Sequence, residues 1–186
     1  MPDDDALYGE LRRWVADAHA EDAAHDRARL RVLRQIGEEE ATFAGIILDL
    51  AERGGPVTIR TAAGRVHRGR VVALGRDFVV VREGELPPVF VALSAAVAVR
   101  PVPSDRSAAI AGARRPPLEA SLAAVLAGLA GERPRIHLAV AGDAQVIAGE
   151  LRAVGSDVAV LRSDDGSTLY VHLDTVLEVV LHDLAV

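Results

Sequence analysis

The sequence predicts an α+β chain: two tandem units, each a helix followed by five strands curled into a small β-barrel, preceded by a long N-terminal helix. Three observations lead there. The stretch GRVVALGRDFVVVR at residues 69–82 returns as GELRAVGSDVAVLR at residues 149–162. Gly69/Gly149, Ala73/Ala153, Gly75/Gly155, Asp77/Asp157, Val80/Val160 and Arg82/Arg162 are identical, and a repeat with its turn residues in fixed places is one structural unit used twice. Before each copy a helix-period stretch gives way to the two-residue period of strands. The strand-like stretches are short, five to a unit, and joined by turns, the pattern of a small closed barrel.

Taken in order, residues 4–36 carry Leu7, Leu11, Trp14, Val15 and Ala18 on one helical face, after an acidic N-cap at Asp3 to Asp5. The middle of this helix is charged or alanine. Such a stripe suits a helix that projects and pairs with another, so Leu7, Leu11 and Trp14 are the expected self-association contacts, in a coiled coil. Gly37 marks a break, and residues 1–37 form the first segment. A second helix runs from Glu38 to Arg53, with Phe43, Ile46, Ile47 and Leu50 inward, and stops at Gly54-Gly55-Pro56. Five strands follow: Val57 to Thr61, Val66 to Leu74, Phe78 to Arg82, Val89 to Leu93 and Ala96 to Arg100. Residues 38–101 are thus the first unit and 102–117, rich in proline, a linker. Residues 118–186 are the second unit, opened by a helix from Leu118 to Ala130.

Composition narrows the function. No apolar run approaches the ~20 residues that span a bilayer, and the acidic start lacks a secretion pattern, so a cytoplasmic chain without membrane contact is expected. There is no cysteine, hence no disulfide framework and no thiolate site. The six histidines lack the spacing of a metal site. Asp164-Asp165-Gly166-Ser167 lacks the later ligands of a calcium loop, and no phosphate loop or nucleophile elbow is present. No cofactor, metal or catalytic residue is expected, and the chain reads as a non-enzyme.

All 21 basic residues are arginine, a usage that base composition explains as well as recognition does. Their distribution says more. Residues 56–117 carry 10 basic and 4 acidic side chains, against 7 and 13 in residues 1–55 and 4 and 10 in residues 118–186. Arg60, Arg65, Arg68, Arg70, Arg76 and Arg82 form the best candidate surface for phosphates. Its weakness is a lack of aromatic platforms, since Phe78 is expected in the core.

A helix followed by five bent strands resembles the Sm-like fold, which includes bacterial RNA chaperones. The resemblance rests on Gly69 and Gly149, on Asp77 and Asp157, on FVVV (78–81) and VAVL (158–161), and on the closing segments VFVALSAAVAV (89–99) and LYVHLDTVLEV (169–179). It implies assembly of barrels through their fourth and fifth strands and a contact to RNA. Val80 and Val160 stand where that family has an asparagine that holds a base, and its Arg-Gly pair is missing, so the family's base pocket is not implied. Tyr170-Val171-His172 is a partial echo of a family motif and adds His172 to the nucleic-acid candidates. Gly75, Asp77, Gly155 and Asp157 are expected to shape turns, the aspartates accepting nearby backbone N–H groups. Two readings stay open: an oligomeric regulator binding RNA or another nucleic acid through its basic first unit, and a protein-docking module that self-associates through its helix.

Overall fold

The computed structural model describes Trp14, His19, residues 25–102 and residues 117–182. Residues 25–39 form helix α1, and Trp14 and His19 are also helical. Helix α2 is Phe43–Glu52 and α3 is Leu122–Leu129. The strands are β1 (Val57–Thr61), β2 (Val66–Leu74), β3 (Phe78–Arg82), β4 (Val89–Ala92) and β5 (Ala96–Pro101), then β6 (Arg135–Val140), β7 (Val146–Val154), β8 (Val158–Arg162), β9 (Thr168–His172) and β10 (Val176–Leu181).

All ten strands belong to one antiparallel sheet in the order β5-β1-β2-β3-β4-β10-β6-β7-β8-β9. The expectation of two helix-plus-five-strand barrels is therefore corrected. Within each half the last strand returns beside the first, so β5 lies on β1 and β10 on β6, and neither half closes on itself. The short turn after Ala92 carries β5 across to β1, leaving the outer edge of β4 unpaired. An unpaired edge exposes a row of backbone donors and acceptors, and β10 takes it up, with Glu178 opposite Val91, Val179 opposite Phe90 and Val180 opposite Val89. The result is a continuous open sheet with β5 and β9 at its edges.

The first apolar cluster joins α2 to the sheet through Ile47, Leu50, Val57, Ile59, Leu74, Val79, Val81 and Val91. The second joins Leu122, Leu126, Ile136, Leu138, Leu151 and Leu161 to Phe78 and Val80. Successive residues of β3 thus face different cores, which is why FVVV is apolar throughout. The first half supplies part of the second half's core.

The coiled coil is also corrected. α1 runs through Gly37 to residue 39. Leu30, Val32, Leu33 and Ile36 stand 45–56 % exposed, and Trp14 is 73 % exposed. Leu7 and Leu11 lie outside the described residues, as do positions 103–116 of the linker. α2 starts at Phe43, later than Glu38, because Thr42 is its N-cap and accepts the Gly45 N–H at 3.1 Å. Similarly, α3 starts at Leu122 because residues 118–120 are held extended against the first half. Leu118 N–H donates to Leu74 O (3.2 Å), and Arg76 N–H to Ala120 O (3.0 Å).

Candidate nucleic-acid interface

Cross-strand partners in a sheet share a face, so the register decides which arginines meet. Arg68 lies opposite Thr58, Arg60 opposite Val66, and Arg70 opposite Arg82. On the other side of β1, Arg100 lies opposite Thr58. Arg60, Arg68, Arg70, Arg82 and Arg100 therefore occupy one face of β5-β1-β2-β3, and all five are exposed. Among the described residues none of the five has a carboxylate within ion-pair distance. Arg70 Nη1 donates to Gly54 O at 2.5 Å, which holds its guanidinium against the loop after α2. Arg68, Arg70 and Arg82 line a hollow of about 400 Å³ with Pro56, Val72 and Glu83.

Gly69 lets β2 bend here: a Cβ at that position would overlap the Arg82 carbonyl, 2.6 Å from its carbon. The close approach of β2 to the end of β3 brings Arg68, Arg70 and Arg82 around one hollow. Gly75 turns the chain between the same strands, its N–H donating to Phe78 O at 2.8 Å, and Gly155 repeats this with Val158 O at 2.7 Å.

The other expected residues fall elsewhere. Arg65 leaves the surface cluster and places Nη1 3.3 Å from Glu178 Oε2. Arg76 sits in the β2–β3 turn, at the far end of β2 from Arg68. His172 is exposed on β9, at the opposite edge of the sheet from β5. Phe78 is 1 % exposed and packs 5.8 Å from the Phe90 ring, so neither offers a base a platform. The Asp77 and Asp157 backbone oxygens accept Leu93 N–H and Leu173 N–H at 2.8 Å, extending the β3–β4 and β8–β9 pairings by one residue. The Asp77 carboxylate reaches much further along the chain, accepting the Leu122 N–H at the start of α3 at 2.8 Å. Among the described residues the Asp157 carboxylate accepts a hydrogen bond from the Ser156 hydroxyl, at 3.5 Å.

Two features fall outside what local patterning predicts. Arg100 joins the basic face only because β5 crosses to β1, a pairing that no local signal announces. Glu178, on β10, is 1 % exposed, and its carboxylate crosses the junction between halves to Thr61, Arg65 and His67. Thr61 Oγ1 donates to Oε1, and His67 Nε2 lies 3.1 Å from Oε2. Burial would raise the Glu178 pKa, but the contacts from His67 and Thr61 and the charges of His67 and Arg65 outweigh it, leaving the carboxylate below its ordinary value. A lone acid within the apolar run TVLEVVL was the available signal, since a buried carboxylate needs partners.

The basic face does not repeat. By the same pairing rules Arg60, Arg68, Arg70 and Arg100 correspond to Ala139, Ala148, Glu150 and Val180, and only Arg82 has an arginine counterpart, Arg162. Glu150 is bound by Arg152 at 2.7 Å. The second half instead carries His137 and His182 with ring centres 4.0 Å apart, beside an Arg135–Asp164 pair at 2.5 and 2.6 Å. Burial, His182 and Arg135 lower the His137 pKa, against the pull of Asp164.

No protein-family model and no curated protein matches the chain. Among the described residues no group of three or more His, Asp or Glu side chains could hold a metal ion, and no helix is long and apolar enough to cross a membrane.

Proposed function

We propose that this protein binds single-stranded nucleic acid, RNA in the first instance, through the arginine face of its first half. One observation carries the reading: five exposed arginines on one face of four neighbouring strands, none paired with a carboxylate among the described residues, where the equivalent second-half face has one arginine. Guanidinium groups so arranged suit successive phosphates, and affinity from phosphate contacts is salt-dependent and tolerant of sequence. The absence of aromatic side chains from the face fits backbone tracking better than base stacking. No catalytic role is proposed.

Fluorescence anisotropy of labelled RNA against the full chain, over a salt series, tests it. Replacing Arg68, Arg70 and Arg82 together by Ala should weaken binding and flatten the plot of log K against log salt by about 0.7 for each phosphate no longer neutralised. Replacing Arg152, which is already paired with Glu150, should change little. Unchanged affinity in the triple variant overturns the assignment.

The sheet edges support a second reading, a protein-docking module. β5 and β9 each lack an outer neighbour among the described residues, and Val97 and Tyr170 on them are 67 % and 73 % exposed. Open edges of this kind take up an added strand.

A further inference from the structure

The seam where β10 lies on β4 holds a second cavity, of about 220 Å³. Its floor follows from the register. Val81 pairs with Val89, and Val89 with Val180, so the three valines share a face across β3, β4 and β10. His67 falls on that face because it alternates with Val71, the partner of Val81. His182, two residues beyond Val180, flanks the row from its other end. One wall is the loop between β3 and β4. Gly84 takes a left-handed φ of 54°, and Leu86 N–H closes the turn on Glu83 O at 3.0 Å. The turn leaves Leu86 61 % exposed at the rim, beside Pro87.

Two opposite charges border this apolar space, Arg68 and Glu83. Both are exposed, and among the described residues neither has an ion-pair partner, in each other or elsewhere. His182 adds a ring donor, its centre 4.0 Å from that of His137. The combination belongs to the first half alone. Ala148 and Ser163 stand in the second half at the positions of Arg68 and Glu83. Among the described residues no strand lies beyond β9 to supply a counterpart of Val180.

We propose that this cavity binds a free α-amino acid with an apolar side chain, such as leucine. Arg68 and His182 take the carboxylate, Glu83 takes the ammonium, and the side chain lies on the valine row beside Leu86. A mostly apolar cavity with a few convergent polar groups is the usual form of a small-ligand site. The volume equals about seven liquid waters at ~30 Å³ each, room for an amino acid and little more. Opposite charges left unpaired around an apolar lining match a zwitterion, whereas a simple carboxylate or amine satisfies only one of them. The site needs β10 as well as β2, β3 and β4, so it exists only while the two halves are joined. It does not depend on nucleic-acid binding, although Arg68 also borders the hollow of the arginine face.

Isothermal titration calorimetry of the full chain with L-leucine, up to millimolar ligand, is the test. Isocaproate, which lacks the ammonium, and isoamylamine, which lacks the carboxylate, are the comparison probes. Leucine should bind saturably, and each analogue about tenfold more weakly, the scale of one charge-assisted hydrogen bond. Glu83→Gln and Arg68→Gln should each weaken leucine binding by a similar factor. Both positions are exposed, so circular dichroism should show the fold retained in the two variants. Leucine should also raise the melting temperature of the wild type, because a ligand of the folded state stabilises it. Absence of binding by leucine, isoleucine and phenylalanine overturns the inference. Leucine affinity that survives both substitutions, or that isocaproate or isoamylamine equals, overturns it as well.

Discussion

Replacing Glu178 by Gln tests how the two halves are held together. The substitution keeps the side-chain volume and a carbonyl acceptor but removes the charge. Thr61 is not stranded, because its hydroxyl can accept from the amide as readily as it donates to the carboxylate. The loss falls on His67 and Arg65. A hydrogen bond to a charged group contributes about 1.5–3 kcal/mol and a neutral one about 0.5–1.5, so the Arg65 contact weakens by roughly 1 kcal/mol, while His67 Nε2, 3.1 Å from Oε2 but not hydrogen-bonded to it, loses only the attraction of the charge. The Arg65 side chain is 38 % exposed and its share is discounted for solvent screening, leaving about 1 kcal/mol in all. Urea unfolding followed by circular dichroism measures it. The pH dependence separates the charge from packing. The folded-state pKa of Glu178 lies below its ordinary value of 4.5. Its ionisation therefore stabilises the fold fully above that value, and the contribution is lost as pH falls through the folded-state pKa. The wild type should exceed Glu178→Gln in stability at pH 7, and the difference should shrink as pH falls through the folded-state pKa, because protonation leaves both side chains neutral. A variant as stable as the wild type at pH 7, or a difference that stays the same size as pH falls, would refute the reasoning.

Three further outcomes are expected. Asp77→Ala removes the acceptor for Leu122 N–H and should cost about 1 kcal/mol in urea unfolding, more than Asp157→Ala, whose carboxylate accepts no backbone N–H among the described residues. Gly75→Ala should destabilise more than Gly155→Ala by thermal melting. A Cβ at Gly75 would overlap the ring of Phe78, whereas at Gly155 the nearest atom is Val158 Cγ1 at 3.1 Å, the end of a side chain that can yield. Asp164→Asn removes the one influence that raises the His137 pKa. The His137 ring resonances should then titrate at lower pH than in the wild type, and an unchanged or raised midpoint would contradict the assigned field.

The local structure was legible in the sequence, and the way the strands close was not. Alternating Val57 and Ile59, the Gly75 and Gly155 turns and the apolar faces of α2 and α3 all follow from spacing, because pleat and helix period act over a few residues. What the repeat could not say is which edge meets which. Five short strands per unit suit a closed barrel, and they suit equally a half-sheet that hands an edge to its neighbour. The choice rests on pairings such as Glu178 with Val91, 87 residues apart. The same limit applied to the basic face. Arg68 and Arg70 were legible as neighbours on one strand. Arg100 needed the β5–β1 register, and Arg65 was removed from the set by Glu178, a partner 113 residues away.

The polar cluster around Glu178 also bears on which strand takes up the edge of β4. At the junction between the halves Glu178 of β10 meets Thr61, Arg65 and His67. The equivalent position on β5, the last strand of the first half, is Ala98, by the pairs Arg60↔Ala98 and Ala139↔Glu178. A strand with alanine there would leave Thr61 and His67 facing a methyl group, and β10 moved off β4 would leave Glu178 without its partners. A stranded buried charge costs about 3–5 kcal/mol, enough to favour β10 over a strand of like backbone. Discrimination of this kind comes from what the wrong pairing would bury, so the one acid in TVLEVVL helps to set the order in which the two halves join.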